Sequence, residues 1–214
     1  MYSNSHIISI DGGCRTSKSR ISKELSRILS IPFLDTGLVY RAFSLFWKNN
    51  SFDSFFNKPL AFYEERSKVE LYSHGMECII KINGNTIDPI NDKHSIDILT
   101  SKIAENIPVR LYLTNVIHQF IENKSFIVTG RDIGSFMFPN TRFKIFLYID
   151  YSCNISCLND KTFQDIKERD ERDTNRAFAP LKKEENQLVL NVEKRTFGEN
   201  VALILSYLQE KGWE

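Results

Sequence analysis

Short, continuous apolar runs alternate with helical patterns over most of the chain. The runs lack an apolar–polar alternation, which is typical of strands buried on both faces of a sheet; they occupy residues 6–11, 32–35, 125–130, 144–150 and 187–192. Apolar residues recur every three or four positions, as in an amphipathic helix, in residues 17–30, 109–123 and 196–212. This order predicts an α/β fold, with a parallel sheet of five strands covered by helices on both faces.

Two intervals break this alternation. Residues 61–108 contain two β-rich runs around Asn83-Gly84-Asn85, a sequence typical of a hairpin turn, and are predicted to form a small insertion. Residues 151–186 are polar and rich in charge, and predict a flap with a helix at 164–176. We expect a single domain over residues 1–214, whose core consists of residues 1–60, 109–150 and 187–214.

Charge and composition narrow the classes of function. The chain carries 28 Lys and Arg against 27 Asp and Glu, so general binding to nucleic acid through a basic surface is not expected. It has no apolar run of about 18 residues, and its start lacks a basic region followed by an apolar signal core. These features predict a cytoplasmic protein without a membrane span. The four cysteines are too few for a disulfide scaffold and are expected to be plain thiols.

A candidate phosphate-binding loop follows the first predicted strand. The strand ends at Asp11, glycines stand at the turn, and Lys18-Ser19 opens an amphipathic helix, which is the layout of a P-loop. In such a loop, backbone amides at the positive end of the helix hold phosphate oxygens, and the lysine adds a full charge. Taken alone, the stretch fits an ordinary turn equally well, because Ser17 stands where the second glycine belongs. The residues expected to bind a nucleotide are Gly12, Gly13, Cys14, Arg15, Thr16, Ser17, Lys18, Ser19 and Arg20.

Polar side chains also follow the second and third predicted strands. Thr36 and Arg41 come after the second strand, and Arg131 and Asp132 come directly after the third. Ligands bind at the carboxyl edge of open α/β sheets, so these groups are expected to belong to one site. Two structural alternatives stay open. Thr36 is a candidate N-cap for a helix that begins near Leu38, and Arg131 with Asp132 is a candidate structural ion pair.

A charged stripe is predicted in the flap. On a helix, Arg169, Arg172, Asp173 and Arg176 stand at i, i+3, i+4 and i+7 and share one face. A solvated helix face is the usual interpretation of such a charge run, although Lys and Glu more often build one. Arginines favour binding to phosphate, because the guanidinium group contacts two phosphate oxygens at once.

Three longer motifs resemble the cytidylate kinases, a family of nucleoside-monophosphate kinases. LDTGLVYRA at residues 34–42 is similar to the family pattern LD-S/T-G-x-x-YR, and GRDIGSFMFP at residues 130–139 is similar to GRD-M/I-G-T-x-x-F/L-P. IKERDERDTNRAFAPL at residues 166–181 is similar to the lid pattern I/L-x-x-RD-x-x-D-x-x-R-x-x-A/S-P-L. The motifs follow the family's order over nearly the whole chain, and they are far more specific than the loop.

The resemblance implies a P-loop kinase core of three α/β/α layers. Residues 61–108 would be the insert that binds the nucleoside monophosphate, and residues 151–186 would be the lid. It implies transfer of a phosphoryl group from ATP to CMP or dCMP by a monomeric protein, with Mg2+ bound at Ser19.

The resemblance also implies roles for individual residues, by motif. Lys18, Arg131, Arg169 and Arg176 are the implied catalytic residues. The implied ligands of the monophosphate are Thr36, Arg41, Arg131 and Arg176; those of the cytosine edge are Ser101, Arg110 and Asp132; Arg169 and Asp173 are implied to contact the acceptor sugar and the transferring phosphates.

The loop and the lid depart from the family. Its loop usually reads G-P-x-x-A/S-G-K-G/S-T, whereas residues 12–20 here read GGCRTSKSR. The Cβ atom of Ser17 is expected to crowd a phosphate or to force an unfavourable backbone angle, at a cost of about 1–2 kcal/mol. The alternative is that Arg15 and Arg20 add positive charge that compensates for this cost.

The start of the lid is shorter than in the family and carries one basic residue, Lys161. Two other functions therefore stay open. One is a kinase of the same fold that acts on another small molecule or nucleotide, and the other is a CMP-binding pseudokinase without catalysis.

Overall fold

The computed structural model describes residues 7–50, 58–89, 93–150 and 160–213. The segment 151–159, which contains Cys153, Cys157 and the start of the predicted lid, lies outside the described residues. The strands are β1 (Ile7–Gly12), β2 (Phe33–Asp35), β3 (Val69–His74), β4 (Glu77–Ile82), β5 (Asn85–Thr86), β6 (Phe126–Gly130), β7 (Phe143–Tyr148) and β8 (Leu188–Asn191). The α-helices are α1 (Lys18–Leu29), α2 (Thr36–Asn49), α3 (Leu60–Arg66), α4 (Lys93–Glu105), α5 (Ile107–Ile121), α6 (Asp160–Asn175) and α7 (Phe197–Glu210).

The main sheet is built around β1, in which all six residues are buried. β1 pairs in parallel with β6 on one side and with β7 on the other, with Asp11 opposite Gly130 and Gly12 opposite Leu147. The strand order is β2-β6-β1-β7-β8, and helices flank the sheet. All five strands predicted from the continuous apolar runs are confirmed, and so is the α/β/α architecture.

Helices α1 and α7 pack on one face of this sheet. Ile21 and Leu25 of α1 join Val201 and Ile204 of α7 in one buried cluster with apolar side chains of β1, β6, β7 and β8. Burial of such side chains contributes roughly 1.5–3 kcal/mol each. The packing fixes α1 directly after β1, so both ends of the loop between them are held by rigid elements.

The chain divides into two compact units. One is Leu34–Lys124, and the other combines Ser3–Phe33 with Ser125–Glu214. The expected division into core, insert at 61–108 and lid at 151–186 stays a prediction. Within the described ranges, no helix is both long and apolar enough to cross a membrane.

The unit Leu34–Lys124 contains an antiparallel sheet with the strand order β3-β4-β5. The predicted hairpin is confirmed between β4 and β5, where Asn83 and Gly84 have φ angles of 52° and 79°. Such positive angles at two successive residues are typical of the tight turns that suit twisted strands. β3 was not predicted, because only Val69 and Leu71 in it are buried and its second half is polar and exposed.

Candidate functional site

At Gly12, the start of the loop between β1 and α1 lies close to the backbone of β7. A Cβ atom on Gly12 would lie 2.1 Å from the carbonyl oxygen of Leu147, so no side chain fits there. The hydroxyl of Thr16, which is buried, donates to the carbonyl of Gly13 at 3.0 Å and closes the loop. The loop is therefore a tight, internally bonded turn that leads into the first turn of a helix.

Ser17 adopts the left-handed conformation that the sequence predicted to be unfavourable. Its φ and ψ angles are 56° and 23°, and its side chain makes no capping hydrogen bond to α1. Arg15 also has a positive φ of 58°. A residue with a Cβ atom in this region costs about 1–2 kcal/mol. The predicted strain at the position of the missing glycine is thus confirmed.

The charged side chains of the loop point in different directions. Lys18 donates from Nζ to the carbonyl of Gly13 at 2.5 Å and to the hydroxyl of Thr16 at 3.2 Å, so its ammonium group lies on the loop. The guanidinium of Arg20 lies 4.2 Å from the centre of the Phe197 ring, which places its charge on α7. Ser19, in the first turn of α1, is exposed.

A buried carboxylate that sequence reasoning missed anchors the turn after β6. Both oxygens of Asp11 accept backbone N–H groups at 2.7 Å, one from Ile133 and the other from Gly134. Burial raises the pKa of this carboxyl from 3.8 to about 6, against the opposing effect of the two N–H donors. The available signal was a single acidic residue at the end of an otherwise apolar strand, directly before the loop.

Arg131 connects the turn after β6 with the loop and with α6. It donates from Nη1 to the carbonyl of Gly12 at 2.8 Å and from Nε to Asp173 at 2.8 Å. Its Nη2 lies 3.1 Å from the sulfur of Cys14. Burial raises the pKa of the Cys14 thiol, while the charges of Arg131 and Arg169 oppose that shift, so the thiol is protonated at neutral pH. Arg131 therefore has a defined place beside the loop.

Arg176 forms buried ion pairs with two aspartates. Its Nη2 lies 3.2 Å from Asp132 and its Nη1 lies 3.8 Å from Asp173, while Nε donates to the carbonyl of Ala179 at 2.5 Å. The side chains of Arg176 and Asp132 are each 6% exposed. The charges of Asp132 and Asp173 thus offset those of Arg131 and Arg176. Arg131 pairs with Asp173, and Asp132 pairs with Arg176, so each member of the proposed Arg131–Asp132 ion pair has another partner.

The predicted stripe on α6 is wrong in part. The helix ends at Asn175, so Arg176 lies just beyond it instead of on its face. Asp173 is buried, whereas Arg172 is partly exposed and donates from Nε to the carbonyl of Glu168 at 3.3 Å. Arg172 thus fits the solvated-face interpretation, and Asp173 does not.

Asp35, and not Thr36, caps the helix that follows β2. The carboxylate of Asp35 accepts the N–H of Gly37 at 3.0 Å, and α2 begins at Thr36. The alternative in which Thr36 caps a helix that begins near Leu38 is therefore wrong. The carboxylate reaches the N–H two residues on, and this leaves the buried hydroxyl of Thr36 within the first helical turn.

The unit Leu34–Lys124 holds two of the predicted arginines. Arg41 pairs with Asp97 of α4 at 2.5 Å. Arg110 is among the largest fully buried side chains and donates from Nε and Nη2 to the carbonyl of Ala104, at 3.0 and 2.7 Å. Its guanidinium lies 5.4 Å from the centre of the Tyr40 ring. A buried guanidinium group is costly unless it is hydrogen-bonded or paired, so Arg110 is an unusual buried cation in this unit.

Ser101 of α4 is buried in the same unit. The residue is 5% exposed, and within the described part of the chain its hydroxyl has no hydrogen-bond partner. Buried hydroxyl groups are normally hydrogen-bonded, and an exception calls for an explanation such as a bound ligand. The predicted site residues thus fall into two groups. Lys18, Arg131, Asp132, Arg169, Asp173 and Arg176 belong to one compact unit, and Thr36, Arg41, Ser101 and Arg110 belong to the other.

Comparison with known proteins gives the same family over almost all of the sequence. The family model described as cytidylate kinase matches residues 8–210. A cytidylate kinase from Thermosipho melanesiensis is 30% identical over 95% of this chain and 97% of the relative. Cytidylate kinases from Pasteurella multocida and Lawsonia intracellularis are 30% and 29% identical, over 97% and 94% of this chain and 97% and 95% of the relatives.

Proposed function

The chain belongs to the cytidylate kinase family, and we propose that it transfers the γ-phosphoryl group of ATP to CMP and dCMP, giving ADP with CDP or dCDP. The observation that carries this proposal is the family match over residues 8–210, which includes the loop, the turn after β6 and α6. No observation favours a kinase for another substrate or a pseudokinase, and the lysine of the loop is present at position 18.

The loop at residues 12–20 is proposed to hold the phosphates of ATP. Backbone N–H groups at the start of α1 are suited to phosphate oxygens, and Lys18 reaches the loop with its ammonium group. Mg2+ fits this loop because Ser19 is exposed in the first turn of α1, and this ion usually binds through few protein ligands together with substrate phosphates. When bound, it neutralises phosphate charge.

Transfer requires alignment and charge neutralisation more than covalent chemistry from the protein. The attacking oxygen belongs to an ionised phosphate, so no general base is needed. Lys18, Arg131, Arg169 and Arg176 are proposed to neutralise the charge that spreads over the transferring group. Arg131 and Arg176 are already oriented by Asp173 and Asp132, which reduces the reorganisation that catalysis requires.

The residues that bind the acceptor are proposed from the family motifs. The proposed ligands of the acceptor phosphate are Thr36, Arg41, Arg131 and Arg176. Those of the cytosine base are Ser101, Arg110 and Asp132. The acceptor sugar is proposed to contact Asp173 and Arg169. A carboxylate accepts from the amino group of cytosine, and a guanidinium donates to its carbonyl oxygen and to a ring nitrogen. Uracil presents a carbonyl oxygen in place of that amino group, so it would repel the carboxylate instead of donating to it. The buried hydroxyl of Ser101 supports this assignment.

The acceptor range tests the proposal. Release of ADP is measured with CMP, dCMP, UMP and AMP as acceptors, each with ATP and with GTP as donor. We expect turnover with CMP and dCMP and a kcat/KM for UMP that is lower by about 10² or more, because a polar partner is lost. A preference for AMP or UMP, or binding of CMP without turnover, would contradict it. We further propose that the protein is a cytoplasmic monomer.

A further inference from the structure

The nucleotide loop of this chain holds a carboxylate from its own helix α6. The backbone N–H of Cys14 donates to both oxygens of Asp170, at 2.8 and 2.9 Å. The Nη2 atom of Arg131 lies 3.9 Å from Oδ1 of the same carboxylate, and the Asp170 side chain is only 14% exposed. Asp170 is thus a largely buried anion on a loop amide, with a cation beside it.

A carboxylate in this position shares the recognition chemistry of a phosphate group. Both are anions whose oxygens accept backbone N–H groups at the start of a helix. One N–H of the loop cannot bond fully to two anions, and two anions close to each other repel. We infer that Asp170 is an internal ligand of the nucleotide loop, which ATP must displace, and that it lowers the affinity of the free enzyme for ATP. This inference rests on the proposed function, which makes ATP the ligand of the loop.

Gly13 is the residue that permits the contact. A Cβ atom on Gly13 would lie 2.4 Å from Oδ2 of Asp170, so any side chain at this position forces the carboxylate away. Gly13 is not among the glycines with a positive φ, so the loop backbone itself accepts alanine. The family pattern has proline at this position, whereas this chain has glycine. The contact therefore depends on a feature in which this chain departs from that pattern.

Four full-length variants separate displacement of Asp170 from loss of its charge. Binding of ATP and of ADP is measured by calorimetry without an acceptor for Gly13→Ala, Asp170→Ala, the double variant and Glu171→Ala. We expect each of the first two to lower the Kd about tenfold, because the binding-competent loop becomes more populated. Gly13→Ala keeps the charge of Asp170, so its effect reports displacement. The double variant should lower the Kd no further than Asp170→Ala does, since both substitutions remove the same contact.

Glu171→Ala is the matched control, because it removes one exposed negative charge from the same helix and leaves the contact in place. Its Kd should equal that of the wild type. Without nucleotide, hydrogen exchange in residues 12–16 should be faster in Gly13→Ala and Asp170→Ala than in the wild type.

Unchanged or weaker nucleotide binding in both single variants would overturn the inference, and so would additive effects in the double variant. Absence of nucleotide binding in every variant would also contradict it. Because binding is measured without CMP, these outcomes are distinct from failure of the proposed function. A chain that binds ATP more tightly after the substitutions but never phosphorylates CMP would refute the function alone.

Discussion

Carboxylates hold the arginines and amides of the candidate site in place. Asp11 accepts the backbone N–H groups of the turn after β6, Asp132 and Asp173 hold Arg176 and Arg131, and Asp170 lies on the loop. A buried cation that lost its partner would be strongly destabilising, often by about 3–5 kcal/mol. Arg131 and Arg176 are thus oriented by their carboxylate partners, so the acidic residues of the candidate site matter as much as its basic ones.

Asp11 should give the stability of the protein a characteristic pH dependence. Its folded-state pKa of about 6 lies above the unfolded value of 3.8, so the native state binds the proton more tightly. This contribution to stability is fully present below the unfolded pKa and is lost as the pH rises through the folded pKa. The carboxyl of Asp11 therefore favours folding at mildly acidic pH relative to neutral pH.

Chemical denaturation of the wild type and of Asp11→Asn, which cannot titrate, measures this effect. Between about pH 7.5 and about pH 4.5, the free energy of unfolding of the wild type should rise relative to the variant by about 2 kcal/mol. Groups common to both proteins cancel in the comparison. A difference in stability that stays constant with pH, or that shifts in favour of the wild type towards neutral pH, would show that the two N–H donors outweigh the cost of burial.

Helix α1 carries a serine in the left-handed conformation at each end. Ser17 precedes the helix with a φ of 56°, and Ser30 follows it with a φ of 55°. Glycine is the residue usually found in this conformation, because it has no Cβ atom to clash with the neighbouring carbonyl. Both serines therefore have the same kind of backbone strain. Only Ser17 belongs to the proposed nucleotide loop, because Ser30 is remote from that loop in sequence.

Ser17→Gly should stabilise the protein and improve nucleotide binding at the same time. The substitution relieves backbone strain but adds the entropy of glycine to the unfolded chain. The free energy of unfolding, measured by thermal denaturation, should therefore rise by about 0.5–1 kcal/mol. The KM for ATP should fall, since the Cβ atom no longer crowds the phosphates. Ser30→Gly is the matched control and should give a similar gain in stability with an unchanged KM. An equal fall in KM for both variants would mean that the Cβ atom of Ser17 does not affect the phosphates.

Periodicity in the sequence predicted the elements better than it predicted their ends. Continuous apolar runs gave all five strands of the main sheet, because strands buried on both faces leave little choice of residue. β3 is half exposed and lacks such a run. The predicted helix in the flap ran one residue too far, because α6 ends at Asn175 and Arg176 directly follows it.

Over the whole molecule, the motifs identified the family and most of the site's cations, and the structure supplied their partners. LDTGLVYRA, GRDIG and the α6 motif are recognisable because residue type and spacing are sufficient for them. Asp11 and Asp170 were missed as site residues, because their importance comes from contacts 122 and 156 residues away along the chain. Such pairings depend on which elements meet in the fold, and a single sequence does not state them.

Transfer of the γ-phosphoryl group from ATP to CMP is tested most directly with a label on that group. ATP labelled in the γ-phosphate is incubated with CMP and either the wild type or Lys18→Ala, and the labelled product is identified. We predict label in CDP for the wild type and a kcat/KM lower by about 10²–10³ for Lys18→Ala, as expected when a main electrostatic partner of the transferring group is removed. Label that appears only as inorganic phosphate, or CDP formation that survives Lys18→Ala unchanged, would contradict it.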